Sequence, residues 1–257
     1  MINKQKKIWN NLSNDTRYFV ITGGRGSGKS FEVGRFVSIL SFQPNHKILF
    51  TRQTMTSAHL SIIPEFQEKI ELLELEGLFN VNRGEIQNKQ SNSTIIFKGL
   101  KTSSGDQTAN LKSLQGVTTW VLDEAEELVD ESTFDKINLS LRTKGVQNRV
   151  ILILNPTTKE HWIYQRFFEG AGVAEGFTGK KGNTTYIHTT YLNNLENLDE
   201  SYINEIDNIK NTNPSKFNHI VLGGWLEKAV GVVFNNWSFG AFNPDNLQVS
   251  YGQDFGF

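Results

Sequence analysis

Gly23-Gly24-Arg25-Gly26-Ser27-Gly28-Lys29-Ser30 follows an apolar run, Tyr18-Phe19-Val20-Ile21-Thr22, and opens a helix-length segment, Ser30–Ser41. The octet fits the pattern G-x-x-x-x-G-K-[ST], and each requirement of that pattern has a chemical reason. Glycines let the backbone curl so that successive N–H groups converge on phosphate oxygens. Lys29 supplies a point charge between the β- and γ-phosphates, and the Ser30 hydroxyl is a ligand for Mg²⁺. The positive end of the following helix faces the same anion. A bare strand-to-helix turn would need neither the lysine nor the hydroxyl. The segment therefore reads as a nucleotide site.

Outward from this loop, short apolar runs alternate with helix-length segments, the rhythm of a parallel α/β sheet. Further strands are expected at Lys47–Thr51, Thr119–Leu122 and Arg149–Leu154, all continuous and apolar as if buried on both faces. Ser93–Lys98 reads as an antiparallel or edge strand. Helices are expected at Ile62–Glu76, Glu131–Arg142, Glu160–Phe168 and Glu200–Lys210. Thr102–Ala109 is polar and turn-rich, and Gly170–Gly182, with five glycines, reads as a long mobile loop. The fold class is α/β: a P-loop NTPase of the additional-strand, catalytic-glutamate (ASCE) type, with a mostly parallel central sheet flanked by helices and a small lid. The expected division is a P-loop core over 1–184, a lid over 185–235 and a connector over 236–257.

A phosphate loop needs an acidic strand end to hold magnesium, and Thr119-Trp120-Val121-Leu122-Asp123-Glu124 supplies one. Asp123 would emerge at the carboxyl end of the strand, where ligands of parallel sheets bind. Glu124 would polarise an attacking water, which favours hydrolysis. Glu126, Glu127 and Asp130 read as a solvated acidic helix start. Asn155, in Leu154-Asn155-Pro156-Thr157, ends the next strand and reads as a γ-phosphate sensor, against a plain Asn-Pro turn. Arg25, inside the loop, and Arg142, ending a helix, are candidates for the cation that stabilises the transition state. Arg52 is read as a surface charge. Upstream, the Gln5 amide suits an adenine edge and Trp9 a stacked ring, although an amphipathic helix with Trp9 in the core fits equally well.

Composition removes several classes of function. Lys+Arg 26 against Asp+Glu 27 gives a formal charge of -1, which excludes a globally basic nucleic-acid coat but not a local basic channel. With no cysteine, disulfide frameworks, cysteine zinc sites and thiol catalysis are excluded. No apolar run approaches the roughly 20 residues of a spanning helix. The basic N-terminus has no apolar signal segment behind it, so a soluble intracellular protein is expected.

The arginine-containing loop Gly23–Ser30, the run Val121-Leu122-Asp123-Glu124-Ala125-Glu126-Glu127 and Leu154-Asn155-Pro156-Thr157, in this order, resemble the Walker A, Walker B and coupling motifs of the large terminase subunit of tailed bacteriophages. Thr189–Asn194 and Leu222–Glu227 resemble the lid that follows the ATPase core of that family. The resemblance implies an ATP- and Mg²⁺-dependent motor that moves double-stranded DNA into a procapsid in the host cytoplasm. Its partners would be the portal protein, the small terminase subunit and further copies in a ring, with a monomer plausible for the isolated chain and no membrane involved. DNA contact would be local, with Lys180, Lys181 and Arg83 as candidates against a plain solvated surface. It also implies that Tyr251–Phe257 begins an RNase H-like nuclease, with Asp254 as its first metal carboxylate. One carboxylate cannot assemble a two-metal site, so a truncated chain without nuclease activity is expected.

Two other readings compete. Asp-Glu-Ala-Glu also resembles helicase boxes, and strand separation on tailed duplexes would favour a helicase-like motor. A nucleotide-gated assembly protein with little turnover is the other; activity surviving Glu124→Gln would favour it.

Overall fold

The computed structural model describes residues 15–54, 62–101, 115–227 and 240. Gln5, Trp9, the turn-rich Thr102–Ala109, most of the expected connector and Asp254 lie outside these.

Among the described residues, the centre is a nine-stranded sheet. Its strands are β1 (Tyr18–Gly23), β2 (Lys47–Thr54), β3 (Phe79–Val81), β4 (Glu85–Asn88), β5 (Thr94–Lys101), β6 (Thr119–Leu122), β7 (Arg149–Leu154), β8 (Gly179–Lys181) and β9 (Thr184–Thr189). Their spatial order is β3-β4-β5-β2-β6-β7-β1-β9-β8. Strands β5, β2, β6, β7, β1 and β9 run parallel, and β3, β4 and β8 add antiparallel pairings at the two margins. The strand ending in the acidic pair, β6, is separated from the loop strand β1 by β7.

Alternate residues of the parallel strands fill two apolar layers. Phe19, Ile21, Ile48, Phe50, Val121 and Ile151 join one. Val20, Leu49, Trp120, Leu122, Val150 and Leu152 join the other. Because both faces are covered, these strands are continuously apolar rather than alternating. Each such fully buried side chain contributes roughly 1.5–3 kcal/mol relative to exposure.

Helices α1 (Lys29–Leu40) and α2 (Ile62–Leu72) pack on the first layer, through Val33, Phe36, Val37 and Leu40 of α1 and Ile62, Ile63, Phe66 and Ile70 of α2. Helix α3 (Glu131–Ser140) covers the second through Phe134 and Ile137. Its N-terminus is capped by Asp130, which accepts from the backbone N–H groups of Ser132 at 3.0 Å and Thr133 at 3.1 Å. An α-helical turn, α4 (Trp162–Tyr164), runs on into a π-helical turn, Gln165–Glu169. Beyond β9, helix α5 (Glu200–Thr212) and the turns α6 (Pro214–Lys216) and Phe217–Val221 enclose a third, small apolar cluster around Tyr191, Ile206 and Val221.

Three expectations need correction. The strand over Ser93–Lys98 is not an edge: β5 lies inside the sheet, parallel to β2 and antiparallel to β4, because the hairpin β3–β4 takes the margin. Gly170–Gly182 is not one long loop, since Gly179–Lys181 pairs with Thr184–Tyr186 as β8. The helix expected over Glu160–Phe168 starts two residues later, where His161 Nδ1 accepts from the Ile163 N–H at 3.2 Å and caps it. The expected core boundary at residue 184 lies at the start of β9, which is hydrogen-bonded to β1 throughout. All but the first residue of this last parallel strand lies on the C-terminal side of that boundary. Among the described residues no helix is long and apolar enough to cross a membrane.

Candidate nucleotide site

Strand β1 delivers its last residue, Gly23, to the carboxyl edge of the sheet, where Gly23–Ser30 turns into α1. Gly28 adopts φ 74°, ψ 14° at the helix N-cap, a left-handed conformation that glycine reaches without steric cost. The loop is held from outside by the C-terminal cluster. The Arg25 N–H donates to the Ile220 carbonyl at 2.9 Å, and Asn194 Nδ2 donates to the Gly26 carbonyl at 2.9 Å. A Cβ on Gly24 would stand 1.8 Å from the Val221 carbonyl oxygen, so only glycine allows this approach.

Lys29 folds back into the loop. Its ammonium donates to the carbonyls of Gly23 at 2.9 Å and Gly24 at 3.0 Å, and to Asn155 Oδ1 at 2.9 Å. Burial lowers its pKa to about 8, against the raising effect of Glu126 and Asp123. Asn155 in turn donates through Nδ2 to Glu126 Oε1 at 3.0 Å. Loop, β7 end and β6 turn are thereby joined in one chain of polar contacts. Glu126 Oε2 is buried without a hydrogen-bond partner among the described residues, and burial pushes this carboxyl above its ordinary pKa. An orphaned acceptor beside a lysine and an amide is a polar position prepared for a partner.

The Ser30 hydroxyl donates to Asp123 Oδ1 at 3.0 Å. Asp123 is 1% exposed, and its other oxygen accepts from Arg52 Nε at 2.9 Å and Nη2 at 2.7 Å. Arg52 Nε also stands 3.9 Å from Glu124 Oε2. These distances follow from strand order. Thr51 of β2 is in register with Leu122 of β6, so the residues just beyond them lie side by side. Glu124 itself has φ 53°, ψ 47°, which costs a residue with a Cβ about 1–2 kcal/mol. This conformation ends the strand sharply and leaves Glu124 on the cleft wall. Burial raises its pKa, with Arg52 opposing.

An open cleft of about 400 Å³ is lined by Arg25–Phe31, Glu124 and Asn155. The donor set fits a magnesium ion: a hydroxyl and a carboxylate, both hard oxygen donors, meet at the mouth of the loop through Ser30 and Asp123 Oδ1. Among the described residues no group of three or more acidic, histidine or cysteine side chains forms a metal cage. Mg²⁺ suits such a site because it is usually held by one or two protein oxygens plus phosphates and water.

The structure brings Lys29, Ser30, Asp123, Glu124 and Asn155 together, with Arg25 exposed on the cleft. It does not bring Arg142. Arg17 Nη2 donates to the Asn138 carbonyl at 2.8 Å, and the Thr143 hydroxyl donates to the Val117 carbonyl at 3.2 Å. These contacts set the end of α3 beside the amino ends of β1 and β6, across the sheet from the loop, so Arg142 cannot serve its own site. Two readings are corrected. Arg52 is not a surface charge, because strand pairing sets it on Asp123. Glu126 is not a solvated helix start, because the left-handed turn at Glu124 folds it inward onto Asn155. Glu127 is exposed and Asp130 caps α3.

Comparison with known proteins gives a consistent result. A family model described as phage terminase large subunit matches residues 15–224. The chain is 28% identical over 211 residues to the PBSX phage terminase large subunit of Bacillus subtilis (strain 168), covering 78% of this chain and 47% of that protein. It is 27% identical over 229 residues to the terminase large subunit of Bacillus phage SPP1, covering 85% and 51%. The chain thus spans about half the length of these curated relatives. In fold it is similar to the large terminase of a thermophilic bacteriophage in complex with ADP, with TM-score 0.66 at 15% identity over 88% of this chain and 54% of that one.

Proposed function

The chain belongs to the phage terminase large subunit family, and from that premise we propose that it is an ATP-hydrolysing motor domain that drives double-stranded viral DNA into a procapsid. The observation that carries the reading is the 3.0 Å contact between Ser30 of the phosphate loop and Asp123 at the end of β6. Two motifs 93 residues apart meet there as a triphosphate site requires.

In this reading the curled backbone of Gly24–Gly28 and the Lys29 ammonium hold the β- and γ-phosphates. Lys29 exchanges its loop carbonyls for phosphate oxygens. Mg²⁺, held by Ser30 and Asp123, supplies charge neutralisation on the phosphates when bound. Glu124 accepts a proton from the attacking water, and its raised pKa brings it closer to the working pH of a general base. Asn155, bonded to both Lys29 and Glu126, registers the loss of the γ-phosphate and passes it to the β6 turn. Arg25 faces the same phosphates, while Arg142 would reach only the site of a neighbouring copy in a ring.

The large terminase of the thermophilic bacteriophage, crystallised with ADP, supports nucleotide binding. The family supports the wider setting: DNA, portal protein and small terminase subunit as partners, in the cytoplasm of an infected host.

The test is ATP turnover per chain as protein concentration rises, with Glu124→Gln beside it. A rate that this substitution lowers by about 10²-fold or more, at unchanged nucleotide affinity, is expected. Turnover equal to that of the variant would refute hydrolysis at this site. A rate per chain that climbs with concentration is the signature of sites completed by a neighbour.

A further inference from the structure

Asn155 stands between two groups of opposite hydrogen-bonding character. On the loop side the Lys29 ammonium, which can only donate, meets Oδ1 at 2.9 Å. On the other side Glu126 Oε1, which as a carboxylate oxygen can only accept, takes a hydrogen from Nδ2 at 3.0 Å. The two ends of an asparagine amide have nearly the same shape, so the side chain can ordinarily face either way. Here a donor-only and an acceptor-only neighbour leave a single orientation. Resting on the nucleotide reading above, we propose that Glu126 is a positioning residue for hydrolysis: by holding the amide nitrogen of Asn155, it keeps an acceptor, Oδ1, turned to the cleft.

The orientation matters once a triphosphate binds. Lys29 then turns to the phosphates, and Glu126 alone decides which end of the amide faces them. Without its carboxylate, the anionic γ-phosphate would draw the amide NH₂ group towards itself. With it, Oδ1 stays in the cleft and accepts one O–H of the attacking water while Glu124 accepts the other, so the lone pair of the water oxygen is directed at phosphorus. Glu124 and Asn155 both line the cleft. Glu126 stands behind them and reaches the reaction through Asn155.

The backbone gives this carboxylate a fixed origin. The left-handed Glu124 starts a tight turn, Ala125–Glu127, in which the Glu127 N–H donates to the Glu124 carbonyl at 2.9 Å and the Leu128 N–H to the Ala125 carbonyl at 3.2 Å. Ala125 and Leu128 are buried in the second apolar layer, and Trp162 Nε1 donates to the Leu128 carbonyl. The turn is thus pinned on either side of Glu126. Holding a carboxylate here is costly, because Oε2 is buried without a hydrogen-bond partner among the described residues. A turn that only closed the strand would be more stable with an apolar residue at this position.

The test combines steady-state ATP turnover with equilibrium binding of AMPPNP, both with Mg²⁺, for the chain and its variants. Glu126→Gln frees the amide to turn, because glutamine can meet either end of it. It should lower kcat about tenfold, the effect of losing one hydrogen bond to a charged group. AMPPNP should bind no more weakly, since a negative charge behind the phosphates is gone and the Asn155 NH₂ group can reach them. Glu126→Ala should show the same split between turnover and affinity. Asn155→Asp sets two carboxylates face to face and should lower kcat further. Adding Glu126→Gln gives that aspartate a donor, keeps an acceptor on the cleft, and should raise kcat above the Asn155→Asp value by about tenfold. Parental turnover in Glu126→Gln and Glu126→Ala, or a double variant no faster than Asn155→Asp, would overturn the proposal and leave the nucleotide site standing. Loss of AMPPNP binding together with turnover in the Glu126 variants would give Glu126 a structural role only and overturn it as well. Turnover by the parent chain no higher than that of Glu124→Gln would instead remove the hydrolysis reading on which the proposal rests.

Discussion

Replacing Arg52 by alanine removes the guanidinium that covers one oxygen of a buried carboxylate. Asp123 has a side chain only 2% exposed, and Arg52 meets its Oδ2 through two contacts, at 2.9 and 2.7 Å. Breaking a buried pair by deleting one partner costs about 3–5 kcal/mol, because the remaining charge is left uncompensated. Arg52 is itself 20% exposed, so water reaches the vacated space and the lower end applies, about 3 kcal/mol. For a domain of this size each kcal/mol shifts the melting temperature by about 2–4 °C. Arg52→Ala should therefore melt about 6–12 °C below the parent chain in the absence of nucleotide. With saturating Mg²⁺ and AMPPNP the gap should narrow to less than half, since a divalent cation then supplies the positive charge beside Asp123. Thermal unfolding followed by circular dichroism, with and without the ligand, reads both values. A melting temperature within about 2 °C of the parent without ligand, or a gap that Mg²⁺ and nucleotide leave unchanged, would refute the idea that Arg52 stands in for the metal charge.

Two further outcomes follow from the geometry. Gly223 has φ +75°, and a Cβ there would lie 2.6 Å from the Gly23 carbonyl carbon. Gly223→Ala should lower the melting temperature by about 5 °C or more and weaken nucleotide binding, because the C-terminal turn supports the phosphate loop; unchanged affinity would show that the loop holds its shape unaided. His46, bonded through Nδ1 to the Thr118 hydroxyl at 2.9 Å, has its pKa lowered by burial, and further by Arg149, from 6.5 to about 4. Its neutral form is favoured by folding, so its contribution is complete above about pH 6.5 and is lost as pH falls towards 4, by about 1.4 kcal/mol per unit. Urea midpoints between pH 7 and 4.5 should decline less for His46→Gln than for the parent, and parallel declines would remove His46 as the cause.

Much of the site is legible one segment at a time. Gly23–Ser30 announces itself because curled backbone, lysine and hydroxyl must all come from consecutive residues to surround one phosphate. Asp123 and Glu124 are visible because a buried strand ends abruptly in two carboxylates, and Asn155 because the same happens with an amide. The C-terminal segment packed against the loop is less visible. Its small cluster of Tyr191, Ile206 and Val221 is spread over thirty residues of polar helix and turn, with no continuous apolar run to mark it. The pairing of Gly179–Lys181 is hidden in the same way, because β8 is glycine and lysine at an edge, held by main-chain contacts with β9 that carry no side-chain signature.

The sequence by itself determined the chemistry on offer and the class of fold: a phosphate loop between strand and helix, a second strand ending in acid, and apolar strands that demand cover on both faces. Those features are local, and local chemistry is written in residue order. Tertiary structure alone decided which charges meet. Arg52 becomes a partner of Asp123 only because β2 lies beside β6 in the register Thr51 to Leu122. Glu126 turns inward only because Glu124 takes a left-handed conformation, and Gly24 is indispensable only because Val221, 197 residues on, comes within van der Waals reach. Strand order and long-range packing are set by the burial of the whole core, so no window of sequence around these residues contains them.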